Sequence, residues 1–241
     1  NIIHQGQELK NSPLDLSKDM LSRHIFIAGV TGSGKTTTCR RLLVESDLPF
    51  LIIEPAKTEY RSLLADIENL EIYTLGNEYN APFRFNPFEL IPGESITSHV
   101  DLLKAAFTAA FPMEAAMPYL LEEAIYKTYD DYGWNTQGWD TTSIEGIKKA
   151  NIHCDDPWAE AGVYWPTMSD LLHNMESVVK SKQFDARLES DYIASMVARF
   201  KNLTVGAKGK MLNCRVSTNM VEMLDKKAVL ELDELKSPED K

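Results

Sequence analysis

No apolar run in the chain approaches the ~20 residues that a membrane-spanning helix requires, so no membrane partner is expected. Cysteine is scarce. Cys39, Cys154 and Cys214 are the only three, an odd number without ligand spacing. That argues against a disulfide framework and makes reduced thiols in a cytoplasmic setting the expectation. His153-Cys154 lacks the companions that a four-ligand zinc site needs. Positive charge is also short, with 25 Lys+Arg against 36 Asp+Glu and a net charge of −11. This disfavours a wholesale basic surface for nucleic acid but leaves room for a local basic track. Asn1 to Lys10 is mostly polar, so no secretory leader is expected. A missing initiating Met and the charged ending Lys236-Ser237-Pro238-Glu239-Asp240-Lys241 make a piece of a longer protein the expectation.

What is present centres on Gly29-Val30-Thr31-Gly32-Ser33-Gly34-Lys35-Thr36. It matches G-x-x-x-x-G-K-[ST], the phosphate-binding loop. His24-Ile25-Phe26-Ile27-Ala28 before it predicts a buried parallel strand. Behind it, Cys39, Leu42 and Leu43 share one face of a predicted helix. In such a loop Gly32 and Gly34 let successive N–H groups turn inward onto phosphate oxygens. The helix start adds its positive dipole end. Lys35 reaches the β- and γ-phosphates, and the Thr36 hydroxyl holds Mg²⁺. Thr31, Gly32, Ser33, Gly34, Lys35, Thr36 and Thr37 are the candidate nucleotide-binding residues, with ATP and Mg²⁺ as cofactors. An Asn/Thr-Lys-x-Asp guanine signature and the Leu-Ser-Gly-Gly-Gln of transporter ATPases are both absent.

With 241 residues and 44% hydrophobic content, the chain can bury one good core with an inserted subdomain. Ser12-Pro13-Leu14-Asp15-Leu16 reads as a short strand. Leu48 to Glu54 reads as a second buried strand after the first helix. Strand, loop, helix, strand is a right-handed βαβ unit, so the fold class is α/β with a mainly parallel sheet. The second strand ends in Glu54-Pro55-Ala56-Lys57-Thr58-Glu59-Tyr60-Arg61, where open α/β sheets gather ligands. Glu54 is a candidate catalytic residue that orients water or Mg²⁺, with Lys57 or Arg61 as its pair. The competing reading is a solvated strand-to-helix turn.

Here the ordered motifs take on a family likeness. Pro13-Leu14-Asp15-Leu16, then Arg23 through Thr36, resembles the HerA and FtsK class of DNA translocases. The run Phe50 to Arg61 is especially similar to bacterial HerA-type ATPases, as are Asn86-Pro87-Phe88, Pro166 to Leu172 and Val229 to Leu235. The resemblance implies a RecA-like P-loop NTPase that works as a homo-hexamer, hydrolyses ATP and moves along double-stranded DNA. Two other readings stay open. One is a secretion or conjugation ATPase moving protein or single-stranded DNA. The other is a nucleotide-binding scaffold beside a nuclease or other effector.

The middle of the chain is helical by period. Ile96, Val100, Leu103, Phe107, Ala110 and Phe111 mark one helix that Pro112 ends, and Leu120 to Tyr129 marks a second. From Gly133 to Trp165 the sequence turns polar and contains all four tryptophans, Trp134, Trp139, Trp158 and Trp165. They can anchor a folded-back loop or stack on bases; with only Lys148-Lys149 nearby, anchoring is favoured. Thr167 to Asp170 resembles a capping box opening a third helix. A fourth runs from about Asp185. The expected division is 1–94 as the first part of the ATP-binding core, 95–203 as a helical insertion, and 204–241 as the return to the core.

From Arg199 to Arg215 five residues are positive and none acidic. Val205 to Lys210 reads as a flexible loop carrying Lys208 and Lys210, and the track serves phosphate contact, an arginine reaching a neighbour's ATP, or a plain surface loop. Ala228 to Glu234 reads as a strand followed by acids, making Asp233 a candidate metal ligand and Glu234 a candidate catalytic acid. Alternation places Val229, Glu231 and Asp233 on one face. A central parallel strand is apolar on both faces, which makes Glu231 awkward there. The HerA-like pattern implies that the Mg²⁺-positioning acid strand lies beyond Lys241, so the source of those acids is open.

Overall fold

Strand alternation and one central strand set the layers. The computed structural model describes residues 2–5, 7–9, 16–79, 81–91, 94–134, 136 and 165–235. Strands β1 (Ile2–His4) and β2 (Gln7–Leu9) form an antiparallel hairpin that the sequence pattern did not signal. Helix α1 (Lys35–Ser46) follows the glycine-rich loop, and β3 (Phe50–Glu54) follows α1. A 3₁₀ segment (Glu59–Ala65) leads to β4 (Leu70–Thr74). Among the described residues four helices come next: α2 (Ile96–Ala110), α3 (Met117–Asp131), α4 (Met168–Ser181) and α5 (Ala186–Lys201). Two short helices, α6 (Gly206–Leu212) and α7 (Met220–Leu224), precede β5 (Lys227–Glu231).

Among the described residues the last strand in sequence is the middle strand in space. β5 lies between β3 and β4 and is parallel to both. Its alternating side chains separate two apolar layers, as period-2 geometry requires. Val229 packs with Leu63, Ile67 and Leu70, against Leu43 and Val44 of α1. Ala228 and Leu230 point the other way, into a cluster with Met211 of α6, Met223 of α7 and Phe83. The result is an α/β arrangement with helices on both faces of a parallel sheet.

The helices α2 to α5 build a larger core of their own. Phe200 of α5 is fully buried, and its ring meets Phe107 at 5.0 Å and Phe111 at 5.3 Å. Trp134 and Trp165 are fully buried and stacked, 4.7 Å apart and 9° from parallel. These two tryptophans serve as anchors; Trp139, Trp158, Lys148-Lys149 and His153-Cys154 fall outside the described residues. Thr167 and Asp170 form the full capping box of α4, and Asp185 caps α5. Asn86 is buried and stitches this core to the chain's return. Its Nδ2 donates to the Pro166 carbonyl at 2.9 Å and the Arg215 carbonyl at 3.2 Å.

Two sequence expectations are corrected. His24 to Ala28 is not a buried strand: residues 24–29 carry no ladder, and Phe26 is 92% exposed. An apolar β-branched run is a statement of propensity, and a strand also needs a partner for its N–H and C=O groups. Val205 to Lys210 is not a loop: Gly206–Leu212 is helix α6. Gly209 there is a packing glycine, since a Cβ would sit 2.4 Å from the Thr204 carbonyl carbon and oxygen. The short strand expected from Ser12 to Leu16 has its positions 12–15 outside the described residues.

Candidate nucleotide-binding site

The loop 29–34 is shaped by its glycines. Gly32 and Gly34 have φ of +81° and +91°, and a Cβ at either would meet nothing within 4 Å. Their requirement is therefore conformational, the left-handed backbone that L side chains rarely adopt. Ser33 N–H closes a turn onto the Val30 carbonyl at 3.2 Å. Gly34 is the N-cap of α1 and offers no capping side chain. The first N–H groups of α1 are left without a side-chain cap at the mouth of the loop, as an anion-binding helix start needs. The Lys35 ammonium folds back over the loop, donating to the carbonyls of Gly29 and Val30 at 2.9 Å each. Thr31, Gly32 and Ser33 are exposed, as is Thr37 on the first turn.

Next to this loop stands the end of β3. Glu54, Glu231 and Thr74 are register partners at the carboxyl ends of the three parallel strands. Each has a defined partner. Glu54 is buried and accepts from the backbone N–H of Glu59 at 2.8 Å and of Tyr60 at 3.5 Å. Glu231 is fully buried and takes both Nε and Nη2 of Arg61 at 2.7 Å. Thr74 donates to Glu231 at 2.9 Å and accepts from Arg61 at 3.1 Å. A fully satisfied, bidentate pair is what lets a carboxylate stand at the end of a central strand. The awkwardness of Glu231 in the sequence is thus resolved by an arginine 170 residues earlier.

The residue that sequence reasoning left out is Glu59. Its Oε2 accepts the Thr36 hydroxyl at 2.7 Å, and its Oε1 takes the Lys57 ammonium at 2.6 Å. Lys57 and then Thr36 hold the Glu59 carboxyl below its ordinary value. A signal was present: Glu59 lies on the turn leaving a strand end beside a phosphate loop, where ligands gather. Of the predicted residues, Lys35 and Thr36 come together with the β3 end. Glu54 is adjacent but engaged with the turn backbone. Asp233 and Glu234 lie in the turn after β5, which Leu235 N–H closes onto the Leu232 carbonyl at 3.0 Å.

Burial above all raises the Glu54 carboxyl above its ordinary 4.5, the charges of Glu231 and Glu59 add to this, and the two backbone N–H bonds oppose it. Folded Glu54 therefore keeps its proton to higher pH than the unfolded chain. Stability from this group is full below about pH 4.5 and falls as pH rises through the raised value. Glu54→Gln is expected to remove that decline, so wild type loses ground to the variant as pH is raised above about 4.5. Thermal melts across that range check it; parallel curves would count against the burial of this carboxyl.

The family model described as "Helicase HerA, central domain" matches residues 3–231. The chain belongs to the HerA central-domain family. Among solved structures, VirB4 of Thermoanaerobacter pseudethanolicus superposes with a TM-score of 0.57 at 18% identity, over 87% of this chain and 50% of that one. The HerA-type chain therefore has the fold of a VirB4-like P-loop ATPase. It is also similar to the ATP-dependent protease ATPase subunit HslU of Lactobacillus leichmannii, 35% identical over 85 residues, which is 35% of this chain and 18% of that protein. HslU of Lactobacillus delbrueckii subsp. bulgaricus is 40% identical over 67 residues, 27% of this chain and 14% of that protein. The HerA-type chain thus spans under a fifth of these curated relatives and half of the VirB4 chain.

HerA-type P-loop ATPases use ATP with Mg²⁺, and the residues here fit both. The Lys35 ammonium is held by two backbone carbonyls, which an anionic phosphate outcompetes. The donor set beside it is all oxygen, a threonine hydroxyl and a carboxylate, suited to a hard cation that keeps most of its waters. No cluster of three or more His, Cys, Asp or Glu that could hold a metal exists among the described residues. Mg²⁺ with a nucleotide does not need one, because phosphate and water supply its other ligands. Among the described residues no helix is long and apolar enough to cross a membrane.

Proposed function

We propose that this chain is the nucleotide-binding portion of an ATP-driven translocase that assembles as a homo-hexamer and moves along double-stranded DNA. The observation that carries the reading is the junction of Lys35 and Thr36 with the Glu54–Arg61 turn at the carboxyl end of β3, within a HerA-type domain. Bound ATP supplies the scissile phosphoanhydride. Lys35 binds its phosphates, the loop N–H groups orient them, and Thr36 faces the metal. Glu54 holds the turn that carries Glu59, and Arg61 locks that turn to the central strand. A cytoplasmic location and an effector nuclease as partner belong to the same proposal.

Net charge favours a second reading, a secretion-type ATPase moving protein. At −11 the chain has few cations to neutralise phosphates, and binding to duplex DNA depends on them. Exposed Lys201, Lys210 and Arg215 are the local exceptions near α6. The discriminating experiment is ATPase turnover of the full-length parent protein with and without double-stranded DNA. Stimulation that weakens steeply with salt supports the DNA motor. Turnover indifferent to DNA supports the secretion-type reading, and a preference for GTP without turnover supports the scaffold.

A further inference from the structure

The metal-facing threonine of this site already has a carboxylate partner, and it comes from an unexpected place. We propose that Glu59 is the acid that orients Thr36 and supplies the negative charge for Mg²⁺ when Mg²⁺·nucleotide binds. This rests on the nucleotide-binding reading above and goes beyond it by assigning the metal-positioning role to the turn after β3.

A hydroxyl has one proton and two lone pairs. Because Thr36 donates its proton to Glu59 Oε2 at 2.7 Å, its lone pairs point away from Glu59 and are available to a cation. A threonine that donated elsewhere would aim its lone pairs in another direction. Glu59 itself is held at two points. Its N–H is bound by Glu54 Oε1 at 2.8 Å, and its second carboxylate oxygen is bound by Lys57 at 2.6 Å. The carboxylate therefore cannot swing away without breaking a charge-assisted bond. Two other acids at the strand ends are engaged: Glu54 with the turn backbone, and Glu231 with Arg61 and Thr74. Helix α1 is also joined to the 3₁₀ segment further along by Arg40, whose Nη2 donates to the Ser62 carbonyl at 3.4 Å and to Asp66, just past the segment, at 3.2 Å.

Glu59 is a positioning residue, so its test must read the metal rather than turnover. Calorimetry of ADP binding to the chain is run in excess Mg²⁺ and in EDTA, for wild type and Glu59→Gln, and the readout is the ratio of the two affinities. Glutamine keeps an oxygen to accept from Thr36, while the charge and the acceptor for Lys57 are both lost. Wild type is expected to gain about tenfold or more from Mg²⁺, equal to ~1.4 kcal/mol. Glu59→Gln is expected to bring that ratio close to one. The paramagnetic spectrum of Mn²⁺·ADP on the protein is expected to change in the same variant. A variant that binds more weakly in both buffers but keeps the wild-type ratio has lost only loop shape and overturns the proposal. So does a wild type that binds ADP with no Mg²⁺ gain, although nucleotide binding then stands. A wild type that binds no ADP in either buffer overturns the nucleotide reading and this proposal together.

Discussion

Arg61→Ala is expected to be among the most destabilising single changes outside the helical core. It would leave Glu231, which has no solvent exposure, with only the Thr74 hydroxyl as partner. Removing one partner of a buried pair costs ~3–5 kcal/mol, because the remaining charge has neither water nor a counter-charge. The Arg61 side chain is 51% exposed, so the lower end, about 3 kcal/mol, is the expected loss. Urea titration gives the number. Glu231→Gln placed in the Arg61→Ala background should recover part of it, since the uncompensated charge is then gone. A loss under ~1 kcal/mol, or no recovery in the double variant, would mean that the pair does not hold the three strand ends together.

Phe200→Ala is expected to cost more. The side chain is fully buried in α5 between Phe107 and Phe111, both from α2 or its C-terminal end. Large-to-small changes at such sites remove the transfer free energy and leave a cavity, together ~3–5 kcal/mol. The edge-on contact with Phe107 and the tilted contact with Phe111 add a smaller amount that is lost at the same time. Denaturant unfolding with an unchanged slope and a lower midpoint is the expected result. Phe200→Leu should lose clearly less, because it keeps most of the volume. Equal losses for the two variants would contradict the cavity argument.

Much of this fold was legible because its signals are local. The phosphate loop declares itself through two glycines whose backbone angles only glycine adopts easily, followed by the lysine and threonine that face the ligand. The capping box at Thr167 and the aspartate cap at Asp185 likewise need only a few neighbouring residues. Helix periodicity found Phe107 as a core position, though not that its ring meets Phe200. What was illegible depends on distant parts of the chain. Glu231 looked wrong for a central strand because its partner, Arg61, lies far away in sequence. His24 to Ala28 looked like a strand because propensity was read without a pairing partner. Val205 to Lys210 looked like a flexible loop, whereas Gly206–Leu212 is a helix whose Gly209 permits close approach to Thr204. Glu59 was overlooked beside Glu54: the sequence located the strand end, but only the turned backbone shows which acid reaches Thr36.

The central claim is that residues 29–37 bind the phosphates of ATP, and the most direct test is ATP titration of this chain and its Lys35→Ala variant by calorimetry in Mg²⁺. Lys35 donates to Gly29 and Val30 with no nucleotide bound and would transfer those bonds to phosphate oxygens. Charge-assisted bonds of this kind contribute roughly 1.5–3 kcal/mol each, so losing two lowers affinity by about a hundredfold or more. The account predicts saturable one-site binding by the wild type and no measurable binding by a Lys35→Ala chain that melts at the wild-type temperature. Unchanged ATP affinity in that folded variant would contradict it.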